Sequence, residues 1–352
     1  MNEKRMMDLV RTLSQIHGPS GYEVRVAEAI KRELDKERLE IKCDRIGNVI
    51  ATVPGKNRDK RLMISAHMDE VGFIIRSIDS DGYVHFILDG GINPKVMAAR
   101  SVVLFNEEHT VKGLIASKPI HSLSPEERRE AVPAHKMYID IGANSAEEVK
   151  QYVDVGDFGT FDSDFVFFGE NNRMIKCKAI DDRLGCAVMI ETMRELHENG
   201  DKLPFDVYFA FTTREEIGNS CALTVAEKLQ PDYAVVLEST AIADIAGVRE
   251  NARVSEVGKG GVISLMDMST IYNRDFVDFA LDTAKREGIP AQVKRYVSGG
   301  NDAGHIHKSG KGVKTLAISA PTRYLHSACC VASLDDYDSI KALVMALIRN
   351  IK

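Results

Sequence analysis

At 352 residues the chain exceeds one average domain and has room for two. Hydrophobic residues make up 44% and charged residues 28%, the balance of a folded globular protein, which excludes an extended disordered chain. The formal net charge is -6 with both signs interspersed, which argues against nucleic acid or an anionic membrane as partner, since both reward a basic face.

The N-terminal residues are polar, and the apolar ones after them recur at helical spacing, so no export signal is read there. No stretch approaches the ~18 to 20 apolar residues that span a bilayer. The cysteines (Cys43, Cys177, Cys186, Cys221, Cys329, Cys330) lack paired metal-type spacing and read as reduced thiols, so a cytoplasmic location is expected.

In chain order, Ser20 and Glu23 form a capping-box pattern ahead of a helix through Val24, Ala27, Ile30 and Leu34. Residues 47–53 and 62–66 read as strands, the second ending at His67. After Glu70 the pattern turns β-rich, with one hairpin across 79–82 and another across 106–110. A short helix starts at Ser145 with Glu148 as capping partner, and the densest charge cluster, 125–130, reads as a solvated face. From Asp181 onward helices at 183–198, 221–229, 275–287 and 336–348 alternate with strands at 205–211, 233–237 and 312–319. Such alternation predicts helices packed on a mostly parallel sheet. The expected architecture is therefore an α/β/α catalytic domain with a mixed, mostly parallel sheet, formed by residues 1–70 and 166–352. A small β-rich, barrel-like domain is inserted at 71–165.

Acidic and histidine residues gather in five places: His67-Met68-Asp69-Glu70, Asp181-Asp182, Glu215-Glu216, Glu238 and His326. All but the Asp pair follow the C-terminal end of a predicted strand, the edge at which open α/β sheets bind ligands. Carboxylates this dense repel unless a cation sits among them, and two imidazoles with three carboxylates suit Zn²⁺, Co²⁺ or Mn²⁺. If Asp181 bridges, each of two metals receives three protein ligands. Asp69 is placed to accept the second N–H of His67, and Glu215, diverging from Glu216, to act as general base. Taken singly, each residue also has an ordinary reading: His67 as a structural histidine, Glu215-Glu216 as surface, Asp181-Asp182 as a helix cap. Glu238 resists that reading, since a buried carboxylate needs a partner.

Together the motifs resemble the tetrahedral aminopeptidases, a family that includes glutamyl aminopeptidases and proteins once labelled cellulase M. The stretches that carry the resemblance are Ser65-Ala66-His67-Met68-Asp69-Glu70-Val71-Gly72, Lys178-Ala179-Ile180-Asp181-Asp182-Arg183-Leu184-Gly185-Cys186, and Arg214-Glu215-Glu216-Ile217-Gly218. Glu238-Ser239-Thr240, Gly299-Gly300-Asn301-Asp302-Ala303-Gly304, Arg323-Tyr324-Leu325-His326-Ser327 and the opening Gly18-Pro19-Ser20-Gly21 complete the set. The resemblance implies His67, Asp181 and Glu238 around one metal, and Asp181, Glu216 and His326 around the other. It selects Asp181 over Asp182 as the bridge, makes Glu215 the base and Asp69 the orienting acid, and implies peptide substrates. It also implies dimerisation through the insert and a twelve-subunit tetrahedron. The sequence departs from the family at Glu238, where many members carry Asp (Asp244 lies downstream here), at Asn301 in place of Thr, and at Cys329-Cys330 in place of Pro-Val. These positions bear on the pocket more than on the chemistry. His305 and His307 read as structural, with the lining of a pocket or an interface as the alternative.

Two rival functions fit the same residues less well. A carboxylate-pair glycosidase would leave His67 and His326 without a role. A catalytically silent, metal-bound scaffold would retain the fold alone, yet this chain keeps the candidate base as well as every candidate ligand.

Overall fold

The computed structural model describes residues 3–36, 39–125, 128–200, 202–218 and 221–351; Glu126 and Glu127 of the charge cluster lie outside them, and Arg128 to Glu130 are exposed. Three strands, β1 (Glu40–Cys43), β2 (Val49–Val53) and β3 (Asn57–His67), precede a group of six that closes into a barrel. The barrel strands are β4 (Gly72–Ile78), β5 (Val84–Asp89), β6 (Ser101–Phe105), β7 (Thr110–Ala116), β8 (Tyr138–Asp140) and β9 (Phe158–Phe161). β10 (Val166–Phe168) and β11 (Met174–Cys177) follow, and then β12 (Phe205–Thr212), β13 (Tyr233–Ala241), β14 (Gly261–Ile263), β15 (Ala291–Val293), β16 (Lys314–Thr322) and β17 (Cys330–Ser333).

The main sheet has eight strands in the order β1-β2-β12-β3-β13-β16-β14-β15. Its centre, from β12 to β16, is parallel, whereas β1, β2 and β14 attach antiparallel. The central strands are apolar nearly throughout; Leu62, Met63 and Ile64 are fully buried, as a strand covered on both faces requires. One face is covered along its middle by α4 (Ile180–Glu198), which lies against β3 and β13 with α1 (Glu3–Gln15) and α8 (Leu334–Asn350) beside it. The fold is α/β/α with the barrel as a second body of structure, and the barrel has its own core in which Phe73 meets Phe86 and Phe161 edge-on. No helix among the described residues is long and apolar enough to cross a membrane.

Both expected hairpins form, β4–β5 and β6–β7. In the first, the Asp79 carboxylate closes the turn by accepting the N–H groups of Asp81 and Tyr83. Ser145 caps its short helix as expected, accepting the Glu148 N–H at 3.3 Å. The capping box at Ser20 does not form. The helix α2 (Val24–Asp35) starts later, and the Ser20 hydroxyl donates instead to the buried Asp69 carboxylate at 2.7 Å. A hydrogen bond donated to a buried carboxylate is charge-assisted and stronger than one accepted from a helix N–H. Glu238 also sits differently from its predicted place, inside β13 rather than beyond it, because Ser239 to Ala241 continue the pairing with β16.

Candidate metal centre

Parallel strands end at one edge, and that edge collects the candidate residues. His67 is the last residue of β3 and pairs in register with Thr212, the last of β12, from which Glu215 and Glu216 follow within four residues. His326 lies four residues beyond the end of β16. Asp181 reaches the edge from the first turn of α4, through a cis peptide to Asp182. Four of the eight non-glycine residues with left-handed backbone among the described residues stand here: Ala179, Arg214, Tyr324 and His326. Backbone held in that region costs on the order of 1 to 3 kcal/mol per residue, and such strain concentrates where side chains must be aimed.

Two clusters result, His67–Asp181–Glu238 and Asp181–Glu216–His326, with the ligand atoms of each within 4.8 Å of one another. His67 Nε2 lies 3.3 Å from both Asp181 Oδ1 and Glu238 Oε1. His326 Nε2 lies 3.3 Å from Asp181 Oδ2 and 3.1 Å from Glu216 Oε2. Asp181 is the one residue common to both, and it turns one oxygen to each. Asp182 stands apart; its Oδ1 accepts the Gly185 N–H at 3.1 Å. A side chain at Gly185 would collide with that carboxylate, so glycine is required there.

Both imidazoles are oriented by main-chain carbonyls. His67 Nδ1 is 3.1 Å from the Asp69 carbonyl, and His326 Nδ1 is 2.9 Å from the Gly91 carbonyl, in the loop after β5 of the barrel. A carbonyl only accepts, so each Nδ1 carries the proton and each Nε2 faces two carboxylates. The Asp69 carboxylate stands beside the same nitrogen, its Oδ1 3.5 Å from His67 Nδ1. That carboxylate takes the Ser20 hydroxyl and the backbone N–H groups of Glu215 (3.1 Å) and Glu216 (3.0 Å). Asp69 thus ties the His67 loop to the Glu215-Glu216 turn. Burial works against its charge, but His67, Ser20 and the Glu216 N–H outweigh this and hold its carboxyl below the usual range.

The electrostatics call for cations. Burial raises Glu238 well above the ordinary glutamate value, and the charge of Asp181 adds to it. Burial likewise raises Glu216 and, strongly, Glu215. Burial opposes a charge on His326, yet Asp181 and Glu216 overcome it and push the imidazole up to about 12. Each Nε2 therefore needs a positive partner on it, a proton or a metal ion. Glu238 Oε2 is buried without a hydrogen-bond partner among the described residues, an atom still in need of one. The donor set, imidazole nitrogen and carboxylate oxygen, fits divalent transition metals.

Behind the clusters lies a buried ion network. Lys178 Nζ meets Glu70 Oε1 at 2.5 Å and Oε2 at 2.7 Å, and Arg183 adds a contact to Glu70 at 3.4 Å. Arg183, fully buried, also donates to the carbonyls of Met68, Leu13, Ile16 and Gly18. The Met68 contact (2.6 Å) fixes the peptide between His67 and Asp69, so the network stiffens the site's backing. The sequence places Ser20 at a helix cap rather than at this site, and marks neither the Gly91 carbonyl nor Asp302, whose Oδ2 accepts the Thr212 hydroxyl at 2.7 Å, as part of it. Ser20 and Asp302 lie in recognised motifs; Gly91 had no signal at all.

The clusters open on a cavity of about 530 Å³ that also exposes Glu215. Fold and site together define a metal-dependent hydrolase. The sequence model of M42 glutamyl aminopeptidase matches residues 47–343. The TET aminopeptidase of a marine sediment archaeon of the Thaumarchaeota is 36% identical with a TM-score of 0.96, over 100% of this chain and 98% of that one. The Pyrococcus horikoshii TET1 peptidase, which can assemble into a tetrahedron or a large octahedral shell, is 34% identical with a TM-score of 0.87, over 98% of this chain and 100% of that one. The lysyl aminopeptidase of Pyrococcus furiosus is 30% identical over 354 residues, 98% of this chain and 97% of the relative. The chain belongs to the M42 glutamyl aminopeptidase family of metallopeptidases, and it is an aminopeptidase.

Proposed function

We propose that the chain removes single N-terminal residues from peptides at two divalent cations, with Glu215 as general base. The observation that carries this is the pair of triads sharing Asp181, with Glu215 beside them in one cavity. His67, Asp181 and Glu238 would hold one ion, and Asp181, Glu216 and His326 the other. Two such ions, Zn²⁺ or Co²⁺ first and Mn²⁺ as a further choice, would supply Lewis acidity and make hydroxide available at neutral pH. Glu215 takes the proton of the attacking water and delivers it to the leaving amine, while Asp69 holds the Glu215-Glu216 turn in register with His67.

The test is chelation followed by return of single metals, read on peptides with free and blocked N-termini. Release of the first residue is expected to vanish without metal and return with two ions per chain, on free N-termini only. Activity that survives chelation, or saturates at one ion, overturns the two-metal reading.

We further propose a cytoplasmic protein of two domains, in which the insert at 71–165 drives dimerisation and dimers build a twelve-subunit tetrahedron. The assembly of the Pyrococcus horikoshii relative supports the tetrahedron. Sedimentation is expected to show the twelve-subunit species, and a monomer at micromolar concentration would end the proposal. The family description names glutamyl substrates and one relative is a lysyl enzyme, so membership leaves the preferred first residue unassigned.

A further inference from the structure

Glu238 is followed six residues later by a second acid, Asp244. Glu238 enters a triad and Asp244 enters neither, so ligation does not account for Asp244. Its partner lies on the neighbouring strand's continuation. β13 and β16 run side by side as far as the ladder pair of Ala241 with Thr322. Beyond that pair both chains leave the sheet, and Arg323 reaches across to Asp244. Arg323 Nε donates to the Asp244 carbonyl at 2.8 Å, and a terminal guanidinium nitrogen donates to Asp244 Oδ2 at 2.6 Å. Asp244 Oδ2 also accepts the Val257 N–H at 3.4 Å, and Arg253 approaches Oδ1 at 3.8 Å. The Asp244 side chain is 15% exposed, so most of this contact is inside the protein.

Arg323 is also the base of the loop that carries His326. Its N–H donates to the Val331 carbonyl at 2.9 Å, and its carbonyl accepts the Val331 N–H at 3.0 Å, which closes residues 324–330 into a loop. Within it Tyr324 and His326 have left-handed backbone, and the Ser327 hydroxyl donates to the Tyr324 carbonyl at 2.6 Å. His326 is the most exposed of the five candidate ligands, with 30% of its side chain accessible against 9% or less for the others. Glu216, the other ligand carried by a turn, has its N–H held by Asp69. For His326 the Gly91 carbonyl steadies the ring, and the backbone beneath the ring is set by the base of the loop.

A guanidinium presents its N–H groups as a rigid fork, and here two of them grip one residue, so the base of the loop can neither slide nor turn against β13. As a contribution to overall stability a half-exposed ion pair counts for little. What distinguishes this one is its place: it joins the strand that carries Glu238 of one triad to the loop that carries His326 of the other.

We infer that Asp244 is a positioning residue: through Arg323 it fixes the loop that carries His326, and so sets how tightly the ion of Asp181, Glu216 and His326 is held. The inference rests on the two-ion reading above and adds to it a residue that contacts neither ion.

Metal-free enzyme is titrated with Co²⁺, followed by calorimetry for affinity and by visible absorption, whose bands report the ligand geometry of each ion. His326→Ala identifies the His326 site by what it removes from both signals. Asp244→Asn keeps an oxygen for Arg323 and loses the charge. It is expected to weaken that same site by on the order of 10- to 100-fold and to leave the other site within a few-fold of wild type. Arg323→Lys is expected to act in the same direction, since one ammonium cannot reproduce the fork. The two variants alter opposite ends of the contact, so misfolding of one leaves the other to decide. Equal weakening of both sites, with a lower melting temperature of the metal-free variants, would make the pair merely structural and overturn the inference. Unchanged affinity at both sites in both variants overturns it as well. Wild-type enzyme that binds a single ion fails the two-ion reading instead. The role of Asp244 then stands if Asp244→Asn and His326→Ala both weaken that ion, and falls if either leaves it unchanged.

Discussion

Replacing Glu215 by Gln is expected to lower kcat/KM by on the order of 10²- to 10⁴-fold while the metal content per chain stays at the wild-type level. Glu215 belongs to neither triad, so its loss removes no ligand atom. Its backbone is fixed independently of its side chain: Arg214 before it is left-handed, and its N–H is held by Asp69 Oδ1 at 3.1 Å. Gln fills the same space and leaves that contact untouched, so the change is confined to proton affinity. That affinity suits the task. Burial first, then the charges of Asp302, Glu216 and Asp69, raise the Glu215 carboxylate well above an ordinary glutamate, against the opposing field of His67. Glu216→Gln is the control, since it alters a triad and should lose metal together with activity. Elemental analysis beside steady-state kinetics distinguishes the two variants. Turnover retained in Glu215→Gln would remove Glu215 from the mechanism, and metal lost from it would make Glu215 a ligand instead.

The residues that converge on the sheet edge were legible in the sequence because each strand announced itself by an apolar run, as 62–66 does before His67. The parallel α/β pattern then fixed which end of each run would carry a ligand. What escaped was set by tertiary competition. Ser20 and Glu23 have the spacing of a capping box, but no local pattern records that a buried Asp69 waits 49 residues away to take the hydroxyl. The Asp69 carbonyl, nearer His67 Nδ1 than the carboxylate, is not legible at all, because a main-chain acceptor leaves no trace in residue identity. Gly91 is invisible for the same reason. The short strands β8, β10, β14 and β15 have three residues each, too few for a periodicity of two to show.

The choice between the adjacent aspartates has the clearest experimental contrast. Asp181→Asn is expected to lose bound metal at both positions and at least ~10²-fold in kcat/KM, because the two carboxylate oxygens serve two different triads. An amide offers a single acceptor oxygen and no charge, so one triad loses its donor and both lose the shared anion. Burial alone would favour the neutral acid at Asp181, but the hydrogen bonds from His326 and His67 outweigh it and hold the carboxyl far below the usual range. Asp182 is its opposite. Burial comes first, and the charge of Asp181 adds to it against the pull of His67, so its carboxyl is raised well above the usual range. Its Oδ1 accepts the Gly185 N–H, while Oδ2 is buried without a partner among the described residues. An amide in that position keeps an oxygen for the Gly185 N–H and, like the carboxyl, leaves one polar atom unmatched. Asp182→Asn therefore exchanges one unsatisfied group for another, and metal content and activity should stay within a few-fold of wild type. Elemental analysis and kinetics on the two variants, purified side by side, read both expectations. If Asp182→Asn strips the metals while Asp181→Asn keeps them, the bridge belongs to Asp182 and the two-triad geometry must be redrawn around it.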